Sequence, residues 1–221
     1  MKPMLAATIK DVADVKYPVY ASPKLDGIRG VVVGGVLKSR SLKNIPNEFV
    51  SNRFSHKRLN GLDGELILGS PTAPDVYRQS NGACARHEGT PDVKFFVFDY
   101  WPDDYSGFHG RLTGVNLLFS NNEFDNVFVL PQHLISNETR LLKYEQDTLD
   151  IGYEGVILRS LDGKYKFGRS TMKEQGMMKL KRFNDAEAEI LEVYEEMENT
   201  NAKKTNELGR GARSHHAAGM V

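Results

Sequence analysis

Three short apolar runs punctuated by glycine, at residues 19–22, 28–33 and 36–40, constrain this chain more than any other stretch. Runs this brief and this rich in valine suit strands and are too short for helices. Gly34-Gly35 between the last two is a two-residue hairpin signal, because glycine accepts the positive φ angles such turns need. The chain therefore opens with a strand, a loop and a hairpin. Residues 24–27 must lie on the loop between the first two strands. There the sequence reads Lys24-Leu25-Asp26-Gly27-Ile28-Arg29: an amine, a carboxylate two positions on, and a second cation close behind.

Further strands are expected at residues 62–68, 94–100, 128–130, 155–159 and 177–182, and a helix at residues 139–150, where Leu141, Leu142, Glu145 and Leu149 keep helical spacing. Residues 186–194 suit either helix or strand. The expected class is α+β, mostly antiparallel sheet, with chemistry on strand ends and loops. A length of 221 residues and a 40% hydrophobic content allow a large core. The cations from residue 164 to 182 number seven against one anion, and residues 183–199 hold seven anions and no cation. That reversal reads either as one module over 1–183 followed by a different one over 184–221 or as two solvated faces of one domain, and residues 199–221, poor in apolar side chains, are expected to be mobile. A formal charge of zero excludes a simple polyanion-coating protein. Cys84 is the only cysteine, a small filler expected in a loop, so no intrachain disulfide or cysteine-based metal site forms. No leader and no run long enough for a bilayer is evident, so an intracellular protein without membrane contact is expected.

The candidate chemistry follows from residue types. A loop-held amine such as Lys24 can attack phosphorus and hold a nucleotide covalently. Glu65, in Asp63-Gly64-Glu65, and Glu154, in Glu154-Gly155-Val156, offer hard oxygens for Mg²⁺ beside phosphates, although Asp-Gly and Glu-Gly pairs also mark plain turns. In Met178-Lys179-Leu180-Lys181 a strand puts both lysines on one face, where an anion would hold them together, or where they guard a sheet edge. Alternate rings in Phe95-Phe96-Val97-Phe98 face opposite ways, one set to the core and the other free to stack.

In this order and spacing the pieces resemble the nucleotidyltransferase motifs of ATP-dependent DNA ligases and related capping enzymes. Residues 24–29 match the nucleophile motif, followed by Ser39-Arg40, Asp63-Gly64-Glu65, Phe98-Asp99, Glu154-Gly155-Val156 and Lys179-Leu180-Lys181. Lys2-Pro3-Met4-Leu5-Ala6-Ala7 and the run from Asp162 to Thr171 are similar to the compact ligases of large algal viruses and their phage and bacterial relatives. The resemblance implies a nucleotidyltransferase domain that takes ATP and Mg²⁺ and works on nicked duplex DNA as a monomer. It implies that Lys24 becomes lysyl-AMP, with Ser22 beside it in the loop under the nucleotide. Glu65 would meet the ribose, Phe98 the adenine, and Lys179 and Lys181 the α-phosphate. Glu154, with Glu65, would hold the metal. Arg29 and Arg40 would meet the sugar or the nick 5′-phosphate, and Asp26 would serve the 3′-hydroxyl. Arg169, Ser170, Thr171 and Lys173 would contact the DNA backbone.

The same resemblance implies an OB-fold after the first domain, of which only the first strand, at residues 185–194, has a counterpart. Impaired self-adenylylation, with some sealing of a pre-adenylylated nick, is the corresponding expectation. Two other readings stand beside a DNA ligase: an RNA ligase or capping guanylyltransferase of the same superfamily, and a nick-binding module without catalysis.

Overall fold

The computed structural model describes residues 2–101, 107–120 and 122–182. Ten strands form two five-stranded sheets. In the first, β1 (Ala7–Thr8), β10 (Met178–Leu180), β9 (Val156–Ser160), β2 (Val19–Pro23) and β8 (His133–Ile135) lie side by side in that order. In the second the order is β4 (Val36–Ser39), β3 (Ile28–Val33), β5 (Leu62–Leu68), β6 (Val93–Tyr100) and β7 (Val127–Val129). All pairings are antiparallel except β1 with β10 and β6 with β7. Four helices cover the sheets: α1 (Glu48–Phe54), α2 (Val76–Ala85), α3 (Phe108–Ser120) and α4 (Glu138–Asp150). The α+β expectation holds, and the strands at 28–33 and 62–68 have the expected bounds. Gly34 and Gly35, at φ +62° and +78°, make the two-residue turn that pairs Val33 with Val36.

Alternation along each strand divides the core. Leu62, Leu66, Phe95 and Val97 pack with Val50, Phe54, Cys84 and Val115 of the helices under the second sheet. Val19, Ala21, Val156, Leu158, Met178 and Leu180 pack with Leu141 under the first. The intervening positions of the same strands turn to the seam between the sheets, where Leu25, Ile67, Val76 and Leu130 form a smaller cluster. Burial of apolar surface of order 25 cal/mol per Å² holds each layer.

Cys84 departs from expectation. It is fully buried within helix α2 rather than in a loop, and burial pushes its thiol up to about 12. Ser22 lies within β2, which runs on to Pro23, rather than in the following loop. The boundary near residue 183 and the barrel strand at 185–194 lie outside the described residues. No helix among the described residues is long and apolar enough to cross a membrane.

Candidate active site

Because β2 belongs to one sheet and β3 to the other, residues 24–27 cross the seam. Lys24 N–H donates to the Gly155 carbonyl at 2.8 Å, which ties the crossing to the head of β9. Gly155 adopts φ +145°, and a Cβ there would stand 2.3 Å from the Leu180 carbonyl. Only glycine lets β9 and β10 close on the loop. Glu154 therefore arrives beside the loop: Lys24 Nζ donates to its Oε2, and Lys181 Nζ donates to its Oε1 at 3.0 Å. Burial opposes the charge on Glu154, but these two lysines outweigh it and hold the carboxyl below its ordinary range.

The second sheet supplies the other wall. Arg29 on β3 stands directly across from Glu65 on β5. Its guanidinium grips Asp63 at 2.5 and 2.6 Å and donates to the Met4 carbonyl at 3.2 Å. Tyr165 donates its hydroxyl to the same Asp63 at 2.6 Å and accepts the Met4 N–H at 3.2 Å. Burial works against the charge on Arg29, but Asp63 more than offsets it and raises its pKa. Burial, with Asp63 beside it, raises the Tyr165 phenol. Glu65 lacks such a bidentate partner. Burial pushes its carboxyl up to about 7 against the pull of Arg29 and Lys24.

Phe98 owes its position to a bulge. Asp63 pairs with Asp99 and Gly64 with Val97, so Phe98 is the extra residue of β6. Bulges next to sites re-aim a side chain, and the Phe98 ring lies with Arg29 Cζ 4.6 Å from its centre.

One cavity unites most of the expected residues: Ser22, Lys24, Arg29, Arg40, Glu65, Phe98, Arg169 and Lys179 all line it, with Leu130, Ile157 and Met177 as apolar wall. Lys179 makes no side-chain hydrogen bond or ion pair among the described residues. Met178 and Leu180 are buried and Lys179 turns to the opposite face of β10, while Lys181 lies one residue past the end of that strand. Asp26 is partly buried in the crossing loop, and its charge acts on Glu65. Arg169 donates to the Ala6 carbonyl at 2.7 Å. Thr171 and Lys173 are exposed, and Thr171 donates to Glu174 at 3.1 Å. Ser170 is 2% exposed, its Oγ accepting the Met177 N–H at 3.2 Å, so its hydroxyl braces the chain from within. Among the described residues no three His, Cys, Asp or Glu side chains converge as a metal cage.

Asp99, Arg111, Arg159 and Tyr165 received no role from sequence reasoning. Asp99 accepts Arg111 Nε at 2.8 Å and Arg159 Nη1 at 2.6 Å in full burial. Asp99 sits in the Phe98-Asp99 motif, Arg159 closes the strand expected at residues 155–159, and Tyr165 lies in the run from Asp162 to Thr171. Those positions were the available signal, since charged residues this deep need partners.

The geometry has counterparts among known proteins. The family model described as ATP dependent DNA ligase domain matches residues 3–181. A DNA ligase of African swine fever virus, isolate Pig/Kenya/KEN-50/1950, is 30% identical over 152 residues, 67% of this chain and 34% of the relative. The Pretoriuskop isolate's ligase is 28% identical over 151 residues. The chain thus spans about a third of the length of the curated relatives it matches. The crystal structure of Chlorella virus DNA ligase-adenylate superposes with a TM-score of 0.74 at 34% identity, over 84% of this chain and 70% of that one. A Lig E DNA ligase structure gives 0.69 at 25% identity, over 88% and 73%. With a match over most of its length and the seam geometry described above, the chain belongs to the ATP-dependent DNA ligase domain family.

Proposed function

We propose that this domain carries out nucleotidyl transfer on Lys24 and seals nicks in duplex DNA with ATP as donor. The observation that carries the reading is the seam itself. The Lys24 amine, the Phe98 ring, Glu65 and the uncommitted Lys179 line one cavity, with Glu154 and Lys181 joined to it through Lys24. The Lys24 amine, once it has lost its proton, attacks the α-phosphorus of ATP. A P–N bond forms, the bond to pyrophosphate breaks, and lysyl-AMP remains. An oxygen of the nick 5′-phosphate then displaces the lysine. Finally the 3′-hydroxyl attacks the activated 5′-phosphorus and AMP departs.

The chain's residues divide this work. Phe98 and the apolar wall take the base, and Glu65 faces the ribose. Lys179 and Lys181 neutralise the α-phosphate, with Lys181 exchanging Glu154 for a phosphate oxygen. Arg29 and Arg40 take the sugar or the nick 5′-phosphate, and Asp26 the 3′-hydroxyl. Arg169, Thr171 and Lys173 hold the DNA backbone along the following segment. Mg²⁺ would rest on Glu154, with Glu65 near, and on phosphate oxygens, because this ion accepts one or two carboxylates and keeps its remaining ligands from substrate and water. It would supply charge neutralisation at the phosphates. Such an enzyme acts as a monomer on DNA inside a cell or viral compartment.

Donor and substrate comparison tests this. Labelled ATP should tag the parent chain and labelled GTP should not, and nicked DNA should be sealed in preference to nicked RNA. Preferential GTP labelling would transfer the chain to the capping branch of the superfamily. Nick binding without any tag under either donor would make it a binding module.

A further inference from the structure

Arg159 is a deeply buried charge whose hydrogen-bonding capacity is only partly met among the described residues. It stands on β9, one face-mate along from Ile157, with its side chain 1% exposed. Its Nη1 donates to Asp99, but its Nε and Nη2 are buried without a hydrogen-bond partner among the described residues. Asp99 is already engaged by Arg111, through Nε at 2.8 Å and Nη2 at 3.4 Å. Two buried guanidiniums share one carboxylate, and burial lowers the pKa of Arg159. Arg111 alone would balance Asp99. On stability grounds an apolar residue should replace Arg159, since buried ions are often outperformed by well-packed hydrophobes. A local violation of folding rules beside a ligand cavity points to function.

The contacts of Arg159 indicate which function. Its Cζ lies over the Phe108 ring at 4.7 Å and the Phe98 ring at 5.5 Å. Phe108 is fully buried packing. Phe98 lines the cavity, and as the extra residue of the bulge it has no cross-strand partner to hold it. Arg29 also lies over Phe98 and lines the same cavity as Arg159, but its side chain is 12% exposed against 1% for Arg159. The buried cation is the fixed one.

We infer that Arg159 is a positioning residue for base recognition: its buried guanidinium holds the Phe98 ring in the attitude on which a purine stacks. This rests on reading the cavity as a nucleotide site.

The test uses the full chain, with Arg159→Met and Arg159→Lys. Thermal melting is measured beside titration with ethenoadenosine triphosphate, whose fluorescence reports stacking, and competition by inorganic tripolyphosphate, which has no base. Arg159→Met should melt at or above the parent temperature, while its Kd for the etheno nucleotide rises about tenfold and stacking quench is lost. Tripolyphosphate should bind as to the parent, and Arg159→Lys should recover part of the base-dependent affinity. Equal etheno-nucleotide affinity and quench in Arg159→Met would overturn the inference while leaving the nucleotide site standing. So would a loss of stability with base and base-free ligands weakened alike, in either variant. If the parent itself binds no nucleotide, the site reading fails and the inference falls with it.

Discussion

Two assemblies of charge face each other across the seam, and they are built on opposite terms. On the first sheet, Glu154 holds Lys24 and Lys181, with the three side chains 22–34% exposed. On the second, Asp63 and Asp99 are completely buried, enclosed by Arg29, by Arg111 of α3, by Tyr165 and by Arg159 reaching over from β9 of the first sheet. Lysine is a compact point charge on a flexible stem, whereas the planar guanidinium locks onto a carboxylate through two parallel bonds. The half-open lysine assembly can exchange its carboxylate for a phosphate. The arginine assembly keeps both of its carboxylates fully buried, with Arg29 and Arg159 reaching the cavity wall, and so serves as the frame against which the movable groups work. On the proposed reading, reactivity lies where ion pairs are partly solvated, and geometry where they are dry.

That contrast can be broken by substitution. Asp99→Ala should have the largest effect on folding. It strands two buried guanidiniums and should cost about 3–5 kcal/mol in urea unfolding. A loss below about 1 kcal/mol would show that the dry assembly is not the frame. The next effect is pH dependence through Glu65. Its folded carboxyl titrates near 7, above the ordinary value of 4.5, so between those values the folded chain keeps a proton that the unfolded chain releases. Stability from this group is therefore present at low pH and falls as pH rises through 7, by up to about 3 kcal/mol. Unfolding at pH 5 and pH 8 should show that decline in the parent and its disappearance in Glu65→Gln. The smallest change is expected for Lys24→Ala, which leaves Glu154 paired with Lys181. Its stability should stay within about 1 kcal/mol of the parent, as for other partly solvated pairs.

The residues themselves explain how much of this could be read in advance. β3 and β5 were legible to the residue because their apolar runs end at glycine or at polar turns. α4 was legible because its leucines keep helical spacing, and its Asn137 caps Arg140 N–H at 3.0 Å. α2 and α3 were not. Gly82, Gly110 and Gly114 weaken local helix preference, and packing against β5 and β6 makes these segments helical. At the site, the side chains proposed to be chemically active stood out by type and order. Their partners were not, since Tyr165 meets Asp63 across 102 residues and Lys24 meets Glu154 across 130. Nor was the bulge at Phe98, which depends on how β5 and β6 pair rather than on any local pattern. The lysine pair on β10 was read as either an anion site or a guarded sheet edge. The structure puts β10 between β1 and β9, away from any edge, which removes the second option.

The central claim is that the exchangeable assembly holds a nucleophile, and one measurement tests it most directly. The chain is incubated with ATP and Mg²⁺, and its intact mass is recorded beside that of Lys24→Ala, with peptide mapping of any adduct. The account predicts a species heavier by one AMP, carried on Lys24 and absent from the variant. An adduct that persists in Lys24→Ala, or that maps to another residue, would contradict it.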